Sequence, residues 1–377
     1  MFTTTTELAN IIRQAMGTKL PTDAEIFIPS KYLAPPTLTR GRTNRVLVFR
    51  GAFNPPHRGH LHTLAQAYFR APGELNVVGA IIKVGGDDGT WSKVEGDINP
   101  LKLTMAQRQE LWKDEKLVGG WHWVFPGDTD GWNDFTPRVK QVAKDAGYDL
   151  DMISVLGADH LRMSDSSWKR SFIICGGVAR AEFIEKETHA MAKAGDMRQI
   201  SGYEKWAELP LDPDYLDHRL GTAVGHQWLE QTCQMLWPGA LIGEYIQGSD
   251  QEEGLLLHLK EALRRCGPTQ KCTKKPRYIG DGWNYGLDMA HTKEQIYYIP
   301  SELVGTIRTM DVIPGESSTA IRQAIEEAKT EEELRAKLGG RVLKLDRLIE
   351  MLKEGGFWWP NMLKIGELSY DQGPLVE

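Results

Sequence analysis

Cysteine is scarce in this chain. Four occur among 377 residues, Cys175, Cys233, Cys266 and Cys272, and no two form a C-x-x-C pair. That excludes a disulfide framework and the usual zinc spacings. Cys266 and Cys272, with His258 and His291 on either side, are the one grouping open to a structural zinc ion. Reduced thiols in a cytoplasmic or nuclear protein are the simpler expectation. An excess of positive charge is also missing. The formal net charge is −6, which excludes a globally basic surface, so no nucleic-acid partner is expected. No run approaches the roughly 18 apolar residues of a membrane span, so no membrane association is expected. The N-terminal stretch has no basic start followed by an apolar run, which predicts no secretory leader. There is no internal repeat and no low-complexity tract.

What is present is an ordinary globular composition, 41% hydrophobic and 25% charged, long enough for two domains or for one carrying a large insertion. RVLVF (45–49) reads as a buried strand. A glycine–proline loop follows, then a helix with Leu61, Leu64, Ala65, Tyr68 and Phe69 at helical spacing, and then NVVGAIIKV (76–84) as a second strand. Strand, glycine loop, helix, strand is a βαβ unit, which predicts an α/β fold on a parallel sheet. TMAQRQELWKDE (104–115) reads as a helix, MISVLGAD (152–159) and SFIICGG (171–177) as strands, and EQIYYIPS with RTMDVIPG (294–315) as the last strand region. SSTAIRQAIEEA (317–328) begins a run of amphipathic helices, with Ser317 or Ser318 as its cap. The boundaries that follow are a lead-in over 1–40, a core over 41–185 and 295–335, an insertion over 186–294 with one helix near 251–265, and a C-terminal helix and tail over 336–377.

Three places carry chemistry. Gly51 follows a strand directly, so backbone N–H groups there can approach a ligand with no Cβ in the way. The helix starting near Arg58 turns its free amides and its dipole toward the same spot, which favours a phosphate. His57 and His60, three residues apart, share a helical face and can donate to phosphoryl oxygens. A zinc pair would need further ligands, and a ligand-free loop is the bland alternative. In the second place, Ser317, Ser318 and Thr319 at a helix start, with Arg322 one turn in, suit an oxyanion; alone they would be read as a cap. In the third, Gly157 and Asp159 end a strand where a ribose or base can approach, and Trp168 offers a flat ring.

Taken together, these segments resemble the nucleotidylyltransferase superfamily, and more closely the nicotinamide mononucleotide adenylyltransferases. That family carries Gly-x-Phe-Asn-Pro-x-(His/Thr)-x-x-His after its first strand, which reads here Gly51-Ala52-Phe53-Asn54-Pro55-Pro56-His57-Arg58-Gly59-His60. Its Ser-Ser-Thr-x-Ile-Arg segment matches Ser317 to Arg322. Gly157-Ala158-Asp159, Trp168-Lys169 and Arg180 follow the family's order between them. The resemblance covers about 45–183 and 295–328.

The resemblance implies a Rossmann-like doubly wound parallel sheet of the HxGH nucleotidylyltransferase type, with a large insertion and a C-terminal helical extension. It implies transfer of AMP from ATP, with Mg²⁺, to nicotinamide or nicotinate mononucleotide (NMN or NaMN), giving NAD or its deamido form and pyrophosphate. His57, His60 and Arg322 would be catalytic. Gly51, Ala52, Phe53, Ser317, Ser318 and Thr319 would hold phosphates, and Gly157 and Asp159 the adenosine. Trp168 and Arg180, with Lys93 or Lys102, would take the acceptor, and a homo-oligomer stays open. The chain departs from the family at His57, where close eukaryotic members have Thr. It also lacks the Asp-x-Trp-Glu segment that supplies a second stacking tryptophan, leaving Trp123, Phe125 or Trp132 as substitutes. Arg108 reads as a structural brace. A relative using CTP or another phosphorylated acceptor, and a non-catalytic nucleotide sensor, are the competing readings. Intact His57, His60 and Arg322 weigh against the sensor.

Overall fold

The structure, a computed structural model, describes residues 5–20, 24–27, 35–96, 101–113, 120–157, 171–175, 199–200, 202–209, 269–275, 277–281, 284–288, 295–299 and 317–355. The chain forms two compact units. The first comprises Met1–Gly51, Gly59–Lys83 and Glu115–Gly315, the second Ala52–Arg58, Val84–Asp114 and Glu316–Glu377.

In the first unit, β1 (Thr5–Glu7) pairs antiparallel with β2 (Thr37–Thr39). The main strands are β3 (Thr43–Gly51), β4 (Val77–Val84), β5 (His122–Val124), β6 (Asp149–Gly157), β7 (Phe172–Cys175), β8 (Ala207–Leu209) and β9 (Thr269–Thr273). A hairpin of β10 (Arg277–Asp281) and β11 (Asn284–Asp288) stands apart, and β12 (Gln295–Ile299) rejoins the sheet. Among the described residues the sheet has eight strands in the order β5-β4-β3-β6-β7-β12-β9-β8. The pairs β4–β5, β3–β6, β6–β7 and β7–β12 are parallel, while β12–β9 and β9–β8 are antiparallel. Five of the apolar runs read as strands are therefore strands, as β3, β4, β6, β7 and β12, while RTMDVIPG (308–315) lies outside the described residues. The first six in spatial order follow the sequence third, second, first, fourth, fifth, sixth, consistent with a Rossmann-like α/β fold. Two short pieces of 186–294 extend this sheet as its antiparallel edge.

α1 (Leu8–Met16) buries Leu8, Ile11, Ile12, Ala15 and Met16, the spacing of an amphipathic stripe. α2 (Arg58–Phe69) follows β3 and buries Leu61, Leu64 and Ala67. After the short α3 (Asp87–Trp91) and α4 (Met105–Trp112), α5 (Thr129–Asp145) packs with α1 over Val46, Val48, Ile81 and Leu150. Asp128 caps α5 by accepting from the Gly131 amide at 2.8 Å.

The second unit has its own core. Leu101, Leu103 and Leu111 pack with apolar residues of α6 (Ser318–Glu327), α7 (Glu331–Leu338) and α8 (Leu345–Glu354). Thr104 and Gln107 form a reciprocal capping box that starts α4. Arg347 of α8 donates to Glu110 of α4 at 2.7 Å. Among the described residues no helix is long and apolar enough to cross a membrane.

Candidate active site

The carboxyl ends of parallel strands are where an open α/β sheet binds ligands, at the point where strand order reverses. Here that point lies between β3 and β6. Thr43 pairs with Asp149 and Phe49 with Val155, so the two strands end level, at Gly51 and Gly157. Gly157 is in turn level with Cys175 on β7. Two adjacent strands thus end in glycine at the switch point, with no Cβ from either. Asp159, Trp168 and Arg180 lie outside the described residues. His60, in α2, is half-buried, its ring 6.3 Å from that of Phe49 and edge-on.

A residue that sequence reasoning passed over lies one position before the end of β4. Lys83 is buried, and its ammonium donates to the Thr129 hydroxyl at 3.1 Å. The signal was a single lysine inside the apolar run VVGAIIKV.

The second unit holds the loop that follows Gly51. Phe53 is buried in the left-handed region, φ 50°, and meets Trp112 edge-to-face at 5.0 Å. Asn54, also buried, donates to the Leu101 carbonyl at 2.5 Å and accepts from the Leu103 amide at 3.3 Å. Arg108, with no exposed surface, braces the loop from α4. Its guanidinium donates to the carbonyls of Ala52 (2.5 Å) and Leu103 (3.0 Å), to Thr90 Oγ1 (2.9 Å) and to Asp87 Oδ1 (2.6 Å). A buried guanidinium is tolerated when its donors are used in this way.

From the other side, α6 reaches the same loop. Ser317 is the helix cap, its hydroxyl accepting from the Ala320 amide at 3.1 Å. Ser318 donates to the Pro55 carbonyl at 3.1 Å. Arg322 donates to the Asn54 carbonyl at 3.2 Å and to Thr319 Oγ1 at 3.3 Å. The structure therefore brings the loop and the Ser317–Arg322 segment together, with Ser318 and Arg322 resting on loop carbonyls.

His57 is only 3% exposed. Its main chain forms an antiparallel bridge with Val342, and the neighbouring Arg58 amide donates to the Arg341 carbonyl at 2.9 Å. The first amide of α2 is therefore satisfied within the protein. Burial, and then the charge of Arg341, push the His57 pKa down to about 3, so the imidazole is neutral near pH 7. Lys93 and Lys102 are both exposed, Lys102 with its ammonium 6.0 Å above the Trp91 ring.

The three substitutes for a stacking tryptophan are core residues. Trp123, Phe125 and Trp132 are 6%, 1% and 2% exposed, and Phe125 meets the two tryptophans edge-on at 5.8 and 5.1 Å. None presents an open ring face, because β5 and α5 pack them against each other. Cys175 and Cys272 are buried free thiols, and burial pushes the Cys175 thiol up to about 12. Cys266, His258 and His291 lie outside the described residues. Among the described residues no group of three or more His, Cys, Asp or Glu is arranged to hold a metal ion. Compared with known proteins, the chain matches no family model and no curated relative.

Proposed function

We propose that this protein is a nucleotidyltransferase that moves AMP from ATP to nicotinamide or nicotinate mononucleotide. One observation supports the reading. Ser318 and Arg322 contact the main chain of Pro55 and Asn54, so the two segments expected to grip a triphosphate lie against each other although more than 260 residues separate them in sequence. The donor chemistry fits an anionic substrate, with an arginine fork, two hydroxyls and a helix start converging on a rigid loop.

In the proposed reaction a phosphate oxygen of the acceptor attacks the α-phosphorus of ATP. The bond to the β-phosphate oxygen breaks, and pyrophosphate leaves with the electron pair. A Mg²⁺ ion held by the triphosphate itself would supply charge neutralisation there. The protein's part is positioning and charge stabilisation. Ala52 and Phe53 offer backbone groups to the phosphates, with Gly51 before them. Ser318, Thr319 and Arg322 take the departing pyrophosphate. His57, neutral, donates a single N–H, and His60 serves the α-phosphate. Gly157 admits the adenosine.

A second reading keeps the chemistry and changes a substrate: CTP as donor, or another phosphorylated acceptor. The core positions of Trp123, Phe125 and Trp132 favour it, because none of these three offers a second ring to a pyridine.

The test is direct. The purified protein is incubated with Mg²⁺, ATP or CTP, and each mononucleotide, and pyrophosphate and dinucleotide are measured. Dinucleotide from ATP with NMN or NaMN is expected, lowered about a hundredfold or more in His60→Ala. No product from either pyridine mononucleotide overturns the first reading.

A further inference from the structure

A lysine near the end of an apolar strand is costly to keep. Lys83 is the one charged residue of β4, and it is only 6% exposed. Burying an ammonium there costs free energy that a methionine or leucine would not. Lys83 lies on the face of the sheet that carries α5. Ile81, two residues before it, packs with Val46, Val48 and the apolar stripe of α5. The Lys83 ammonium donates to the Thr129 hydroxyl at 3.1 Å, and Thr129 opens α5 and is exposed. The stem is therefore buried, while the charged tip reaches a residue at the surface, at the amino end of a 17-residue helix.

The surrounding charges favour an anion. Arg50, on β3, turns to the same helix, its guanidinium 5.1 Å above the Trp132 ring. α5 adds the positive end of its dipole. Of the acids at its start, Asp128 is taken up in capping Gly131, and Asp130 is exposed.

We infer, on the reading of this protein as an adenylyltransferase, that Lys83 is a specificity-determining residue that selects an acceptor with a carboxylate on its ring, so that NaMN is preferred to NMN. In a doubly wound sheet a dinucleotide spans the switch point, with one nucleoside to each side. The strand order puts β6 and β4 on opposite sides of β3. Adenosine at Gly157, the end of β6, leaves the acceptor the β4 side, where Lys83 lies. The two mononucleotides differ in a carboxylate against a carboxamide. An ammonium has three donors, and a carboxylate accepts one of them in a charge-assisted bond, roughly twice as strong as the neutral bond that a carboxamide accepts. The Thr129 hydroxyl, which accepts from Lys83, has its own proton to donate to the second carboxylate oxygen. The phosphate that both acceptors share does not need this lysine, because the arginine and hydroxyls of Ser318–Arg322 suit phosphates.

The experiment uses the full chain, as wild type, Lys83→Met and Lys83→Arg. Adenylyl transfer to NaMN and to NMN gives the ratio of their kcat/KM values. Calorimetric titration gives the binding of each mononucleotide without ATP, and thermal melting accompanies both. The wild type is expected to favour NaMN by about tenfold or more, and Lys83→Met to bring the ratio near one. Lys83→Met should melt at the same temperature or higher, since an apolar side chain replaces a buried charge. Lys83→Arg should keep part of the preference. A wild type without preference for NaMN overturns the inference. So does a Lys83→Met variant that loses both acceptors alike, which would put the lysine on the shared phosphate or in a structural role. If the wild type transfers no nucleotide, the enzymatic reading fails and the binding titration still decides. NaMN binding weakened about tenfold by Lys83→Met, with NMN binding weakened less, upholds Lys83 as a carboxylate site. Equal effects on the two, or binding of neither, overturn it.

Discussion

The guanidinium of Arg322 donates to the main-chain oxygen of Asn54 at 3.2 Å, joining residues 268 positions apart in sequence. Its other arm reaches Thr319 Oγ1. One planar group therefore ties the start of α6 to the turn after β3, in a geometry that an ammonium cannot copy. Arg322→Ala is expected to lower nucleotide transfer about a hundredfold, with a stability change of only about 1 kcal/mol. Arg322→Lys should fall between, keeping charge but losing the fork. Pyrophosphate release at saturating ATP, beside a urea melt, separates the two effects. Unchanged turnover in Arg322→Ala would remove this residue from the mechanism.

Arg108 is a different kind of arginine. It has no exposed surface, and its ion pair with Asp87 is 2.6 Å long. Arg108→Met would leave the Ala52 and Leu103 carbonyls and Thr90 short of a donor and strip Asp87 of its counter-charge. Removing one partner of a buried pair costs about 3–5 kcal/mol. Urea denaturation should show a loss of that order, with Asp87→Asn losing less because Asp87 is partly exposed. A loss under about 1 kcal/mol would mean that the brace is not what holds the loop.

The parallel strands were legible because they are short apolar runs bounded by glycine or polar residues, and β3, β4, β6 and β7 all follow that pattern. The edge was not. Ala207–Leu209 and Thr269–Thr273 carry little apolar periodicity, and they join the sheet through backbone pairing to β12 and to each other. α5 was hidden by its own residues. Gly131 lies in its first turn and Pro137 in its interior, both breakers in isolation. Its apolar stripe, Trp132, Phe135, Val139 and Ala143, overrides them. At the site, residue types were readable but their bonding was not. Ser318 and Arg322 read as free anion donors, and tertiary contact turned both onto loop carbonyls. The turn at 339–342 gave no signal, because its main-chain contacts with His57 and Arg58 join residues far apart in sequence.

Gly127 and Gly89 should respond oppositely to alanine. A Cβ on Gly127 would lie 2.7 and 2.9 Å from Phe125 ring atoms, and that ring is locked among Trp123, Trp132 and Phe135. Gly127→Ala is expected to cost about 1–3 kcal/mol as overpacking. Gly89 lies inside α3 with nothing within 4 Å of an added Cβ. Gly89→Ala should therefore stabilise by up to about 1 kcal/mol through helix propensity. Differential scanning calorimetry on the pair decides the matter, since equal melting temperatures would contradict the packing around Phe125.

Acid should destabilise the protein through His57, which is buried, and His122, which is half-buried with its Nδ1 out of contact with solvent. Burial and Arg341 push His57 down to about 3, and burial pushes His122 down to about 4. In the unfolded chain both titrate near 6.5. Between these values the unfolded state binds the extra protons, so stability is flat above about pH 6.5 and falls as pH drops, until the folded values are reached. At about pH 5 each histidine should cost roughly 2 kcal/mol relative to neutral pH. Glu327, Glu331 and Glu333 are held low chiefly by the Gln323 amide, the Lys353 ammonium and the Lys329 main-chain N–H. Their contributions are lost only below the ordinary carboxylate range, and those of the exposed ion pairs are screened by salt. Urea melts between pH 7 and 5 in high salt therefore isolate the histidines. His122→Phe, which fills the same space edge-on to Trp121 (4.7 Å in the native pair), should make the slope about half as steep. A slope equal to wild type would show that the His122 ring does not resist protonation in the folded protein.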